Sequence, residues 1–83
     1  MSVRIDPHAM ERMEERGATE EEVLATVECG ESFPAKLGRT GFRRNFIFRG
    51  LWKGKWYETK QVEVYAARDG EDWLVITAIA KFF

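Results

Sequence analysis

Cysteine is almost missing from this chain. Cys29 is the only one, which excludes an internal disulfide and fits a reducing compartment. His8 is the only histidine, and one His with one Cys makes no zinc site from this chain alone, so no metal and no cofactor is expected. Ser2 and Ser32 are the only serines, and no Ser-His-Asp set is legible. Cys29 paired with His8 is a conceivable nucleophile, but at a helix end it is expected to pack instead. Gly38, Gly50 and Gly54 fall in separate turns, which leaves no glycine-rich phosphate loop. No apolar run suits a signal peptide or a transmembrane helix, so the expectation is a cytoplasmic protein without membrane contact. There is no repeat, low-complexity tract or linker, and 1–83 is expected to be a single domain.

What is present suits a folded domain. Of 83 residues, 45% are hydrophobic and 33% charged, which excludes a disordered chain. A domain of this size buries only about 60% of its unfolded surface, so its three Trp, six Phe and two Tyr matter as large buried areas. Net charge is −1 but unevenly spread. Met1 to Ser32 carries three arginines against nine acids, a net −6; Phe33 to Phe83 carries ten Lys and Arg against five acids, a net +5. Either the basic part is a polyanion-binding face or the charges are only solvated ones on a sheet's outer side.

The stretch Asp6 to Val23 holds the start and stop signals of two short helices. Asp6 is a favoured N-cap, Pro7 suits the first helical position, and Gly17 suits the left-handed position past the end. Ala9, Met10 and Met13 form an apolar side, while His8, Arg12 and Arg16, each four residues apart, form a basic stripe beside it. Thr19 and Glu22 make a capping box for the second helix, whose buried face is Val23, Leu24 and Val27 and whose stop is Gly30.

Beyond Gly30 the pattern turns to strands. Ser2 to Ile5 is either a short strand or a lead-in. Glu31 to Gly38 alternates Phe33, Ala35 and Leu37 around Pro34, which reads as an edge strand. In Phe42 to Gly50, Phe42, Arg44, Phe46 and Phe48 are expected to face the helices, with Arg43 and Arg49 outward. Lys53-Gly54 centres a tight turn, with Trp52 and Trp56 on either side of it as a cross-strand pair or a stacking surface. Glu58 to Ala67 puts Val62, Val64 and Ala66 on one side and Gln61, Glu63 and Tyr65 on the other. Asp69-Gly70 signals a hairpin. Trp73 to Phe82 is apolar on both sides, which predicts a central strand covered twice, by the helices and by a partner. The fold class is thus α+β: two N-terminal helices packed on one face of a three- or four-stranded antiparallel sheet.

Two kinds of chemistry follow. As a site for RNA cleavage, His8 serves as base or acid, Arg12 and Arg16 clamp phosphate, and Arg43, Arg49, Lys53, Lys55 and Lys60 hold the nucleic-acid backbone. Alternatively His8 caps or packs on its helix, the arginines pair with Glu11, Glu15 or the second helix, and the chain is a non-catalytic module that binds nucleic acid or protein, with a homodimer through a sheet edge as its simplest form.

His8-Ala9, Arg12-Met13 and Arg16-Gly17, followed by the capped second helix and Val75 to Thr77, resemble domain-of-unknown-function family 4258 of uncharacterised bacterial proteins. The family's element order is similar to that of RelE-like ribonuclease toxins and BrnT-like toxins. That resemblance implies a toxin-type ribonuclease acting on RNA or the ribosome, with a cognate antitoxin-like protein as a partner.

Overall fold

The computed structural model describes residues 2–83. The elements run β1 (Val3–Ile5), α1 (Pro7–Glu15), α2 (Glu20–Cys29), β2 (Glu31–Pro34), a 3-10 turn (Lys36–Gly38), β3 (Thr40–Trp52), β4 (Lys55–Asp69) and β5 (Asp72–Phe82). Five strands form one sheet in the order β1-β5-β4-β3-β2. The fold class is α+β as expected, but the sheet is five-stranded and mixed rather than a three- or four-stranded antiparallel one. The added strand is β1, which pairs in parallel with β5 from Val3 opposite Trp73 to Ile5 opposite Val75.

The helices form where their end signals lie. The Asp6 carboxylate accepts the His8 N–H at 2.9 Å. At the other end Gly17, at φ 83°, lets Ala18 N–H reach Met13 O at 2.9 Å and Gly17 N–H reach Glu14 O at 3.2 Å, which satisfies two helix-end carbonyls. In α2 both halves of the capping box are made, Glu22 N–H to Thr19 Oγ1 at 3.1 Å and Thr19 N–H to Glu22 Oε1 at 3.0 Å. Cys29, expected to pack, is exposed.

Both helices lie on one side of the sheet. Ala9, Met13, Ala18, Val23 and Val27 pack against Phe42, Val62, Val64, Ala66, Val75 and Ala78. Lys60 extends from this buried face of β4, where its Nζ bonds Gly17 O at 2.8 Å and Glu22 Oε1 at 2.9 Å. The opposite side of the sheet carries neither helix and is bordered only by the 3-10 turn beside Tyr65 and Thr77; it is called the open face below.

Two bulges change the strand reading. In β5 the register moves from Thr77 opposite Tyr65 to Val75 opposite Ala66, leaving Ile76 as the extra residue. Val75 and Ala78 therefore share the buried side, where strict alternation had placed Val75 opposite Ala78. In β3 the register moves between Ile47 and Gly50, with Arg49 at φ 44°. The strand then continues to Trp52 instead of ending at Gly50. Trp52 faces Lys55 and Leu51 faces Trp56, so the two tryptophans are not cross-strand partners. Trp52 instead stacks on Phe82, with centroids 5.0 Å apart, and Trp56 is 55% exposed. The expected strand through Leu37 stops at Pro34, on an edge, and the chain turns there. β5 is flanked by β1 only as far as Val75 and is covered by helices on one side alone.

Candidate functional site

The open face is built by parity. Opposite each buried residue of β4 lies an outward one, so Val62, Val64 and Ala66 inside place Glu63 and Tyr65 outside on adjacent positions of that face. Arg43 of β3 stands directly across from Glu63, and Thr77 of β5 directly across from Tyr65.

Glu63 is the centre of this face. It is only 5% exposed, although neither helix covers it, because its neighbours fold over it. Tyr65 Oη donates to Glu63 Oε1 at 3.0 Å, and Lys81 Nζ lies 2.9 Å from Glu63 Oε2. Burial pushes the Glu63 carboxyl up, but the bonds from Lys81 and Tyr65 and the charges of Lys81 and Arg43 outweigh it, and the group titrates below its ordinary value. Tyr65 moves the other way: donating to the Glu63 carboxylate, together with burial, raises its phenol above the ordinary 10.0. At neutral pH the pair is thus an ionised acceptor and a firmly held proton donor.

Arg43 ties this centre to the sheet edge. Its guanidinium lies 3.3 Å from Glu31 Oε1 and 4.8 Å from the centroid of the Phe33 ring. Phe33 in turn meets Tyr65 edge to face at 6.0 Å.

Arg16 reaches the same region from the helical side. Its Nη1 donates to Thr77 Oγ1 at 3.2 Å and to Ala78 O at 3.1 Å. β5 has no neighbour beyond Val75 on that side, so the Ala78 carbonyl would otherwise face outward unpaired. Arg16 closes that edge and touches the open face through Thr77.

The other residues of the basic stripe are not gathered with it. His8 and Arg12 are exposed on α1, on the helical side of the sheet. Arg49 pairs with Glu58 at 2.9 Å, while Lys53 and Lys55 lie at the β3–β4 turn, over Trp52 and Tyr57. Lys60 is 5% exposed and engaged with Gly17 and Glu22 inside the fold, so its ammonium does not face an outside strand of nucleic acid. Sequence reasoning placed Glu63 and Tyr65 on the outward side of their strand but gave them no role. Lys81 and Thr77 were passed over because their nearness to Glu63 and Tyr65 depends on the bulged register of β5.

A family model described as a domain of unknown function, DUF4258, matches residues 5–80. The chain belongs to the DUF4258 family. The match takes in both helices, the open-face residues Arg43, Glu63, Tyr65 and Thr77, and the stripe His8, Arg12 and Arg16; Lys81 falls just beyond it. The DUF4258 description names no activity, substrate or partner. No curated protein and no solved structure matches the chain. No helix among the described residues is long and apolar enough to cross a membrane.

Proposed function

We propose that this domain acts on RNA through the open face of its sheet, as a toxin-type ribonuclease of the cytoplasm. The observation that supports this most is the single bonded set of Tyr65, Glu63 and Lys81 with Arg43 beside it, on the face that carries neither helix. Cleavage of RNA by its own 2′-hydroxyl needs a base for that hydroxyl, an acid for the departing oxygen and cations for the charge gathering on phosphorus. Glu63 is the acceptor, Tyr65 the donor, and Arg43 and Lys81 the cations. The 2′-oxygen bonds to phosphorus as the bond to the 5′-oxygen breaks. Glu63 takes the 2′ proton and Tyr65 gives one to the leaving oxygen. The products are a 2′,3′-cyclic phosphate and a 5′-hydroxyl.

One observation favours a second reading. A carboxyl held below its ordinary range is a weak base, and Glu63 is already occupied by Lys81 and Tyr65. This suits a non-catalytic module that holds RNA on the same cations. A protein partner, whether antitoxin-like or a second copy of the chain, would find its apolar contact in Ile47, Leu51, Trp56 and Phe83, all exposed.

The test is incubation of end-labelled single-stranded RNA with the purified protein and with Tyr65→Phe, Glu63→Gln, His8→Ala and Arg12→Ala variants. The ribonuclease reading expects cyclic-phosphate ends, a loss of about a hundredfold in Tyr65→Phe and Glu63→Gln, and little change in the α1 variants. Loss confined to His8→Ala and Arg12→Ala would move the chemistry to the helical stripe. Salt-dependent retention of RNA without cleavage would leave the binding module.

A further inference from the structure

Between β2 and β3 the chain makes an overhang, Ala35 to Arg39, that leans across the open face toward β4 and β5. It walls an open cleft of about 760 Å³ whose other lining includes Phe33, Tyr65 and Thr77. We infer that this cleft seats one base of single-stranded RNA, between the Phe33–Tyr65 pair and the Leu37 side chain. The inference rests on the reading of the open face as RNA-directed and adds to it a base-binding pocket.

The cleft is shaped for a flat ring with polar edges. Phe33 and Tyr65 are nearly perpendicular, at 85°, so a ring stacked on one meets the edge of the other. Tyr65 and Thr77 line the cleft as well; the Tyr65 hydroxyl, whose proton goes to Glu63, keeps its acceptor capacity, and the Thr77 hydroxyl, which accepts from Arg16, keeps its proton to donate. Phe33 is held in place from below. It lies over Gly41, its partner across the β2–β3 pair, and a Cβ at that position would collide with the ring.

Leu37 is the least ordinary residue of the overhang. Its φ is 62°, a conformation that costs a non-glycine residue about 1–2 kcal/mol, and its side chain is 86% exposed. A strained backbone that displays an apolar side chain beside an aromatic cleft fits a clamp for a ligand better than it fits stability.

Charge identifies the occupant as an anion-bearing strand. Lys36 and Arg39 stand on the cleft, and neither forms an ion pair among the described residues. Tyr65 belongs both to the cleft and to the Glu63 set. A base seated against Tyr65 therefore brings its own backbone to Arg43 and Lys81 on one side and to Lys36 and Arg39 on the other. Aromatic stacking combined with backbone cations is how sheet faces hold single strands. The exposed apolar side chains that suit a protein partner, Ile47, Leu51 and Trp56, lie toward the far end of the β3–β4 hairpin instead.

The test uses a fluorescein-labelled 2′-O-methyl RNA, which cannot be cleaved through its 2′-oxygen, with and without single abasic positions. Anisotropy is read over a salt series. Phe33→Ala and Leu37→Ala are expected to weaken binding about fivefold or more with an unchanged salt slope, and an abasic RNA should cost the native protein the same factor while costing Phe33→Ala nothing further. Arg43→Ala, by contrast, should reduce the salt slope by about one. Leu37 is so exposed that its variant tests the pocket even if Phe33→Ala is unfolded by circular dichroism. Native-like binding by Leu37→Ala, or an abasic penalty that persists in a folded Phe33→Ala, overturns the pocket and leaves the proposed function standing. Absence of any salt-dependent RNA binding by the native chain overturns both.

Discussion

Lys60 Nζ sits 2.9 Å from Glu22 Oε1, the same oxygen that accepts the Thr19 N–H at 3.0 Å. One carboxylate oxygen thus caps α2 and anchors the helix to the middle of β4. The ammonium also faces the Phe48 and Phe82 rings, at 5.0 and 5.6 Å. Lys60→Ala leaves Glu22 short of its cation under α2 and is expected to cost about 3–5 kcal/mol. Lys60→Met, which keeps the length and packing of the stem, is expected to cost less. Urea unfolding of both variants at pH 7 measures the difference; equal losses would mean that the stem's packing adds nothing and the lost charge carries the whole effect.

Gly17 serves two needs at once. Its φ of 83° is unfavourable for a side chain, and an added Cβ would come 2.9 Å from both Phe82 and Trp52. Gly17→Ala is therefore expected to lose at least about 1–2 kcal/mol from the backbone alone, with more from the displaced rings. Thermal unfolding followed by near-UV circular dichroism should report both the loss and the altered tryptophan environment.

Acid should weaken the open face. The folded Glu63 carboxyl titrates below its ordinary value of 4.5, so the stability it contributes is complete above that value and is lost as pH falls through the lower, folded one. The unfolding free energy measured from pH 7 downward should drop in that acid range, and Glu63→Gln should flatten this part of the curve. A curve that Glu63→Gln leaves unchanged would mean that other carboxylates carry the acid response.

Leu37→Gly separates stability from function. Relief of the left-handed conformation offsets the extra chain entropy of glycine, and the expected net gain is about 0.5 kcal/mol. RNA affinity should nevertheless fall. A variant that becomes less stable would show that Leu37 is held by packing, against its exposure.

Much of the fold was legible because its signals are local. Asp6-Pro7, Thr19 with Glu22, and Gly17 mark helix ends within a few residues, and Lys53-Gly54 and Asp69-Gly70 mark the two hairpins at the positions observed. What escaped depends on distant parts of the chain. β1 is three residues long and exists by pairing with residues seventy positions away, at Trp73. The bulges at Arg49 and Ile76 insert a residue without a composition cue, and each reverses the alternation that follows it. The same limit hid the site. Glu63 and Tyr65 share a face by simple parity, but Lys81, Thr77 and Arg16 join them only through the bulged register of β5 and the open edge beside it.

The central claim, that RNA lies on the open face, is tested most directly by titrating short single-stranded RNA into isotope-labelled protein and mapping amide and side-chain shifts by NMR. The account predicts changes concentrated at Phe33, Arg43, Tyr65, Thr77 and Lys81, with His8 and Arg12 unmoved. Shifts gathered on α1 around His8 and Arg12, or no shifts at all at low salt, would contradict it.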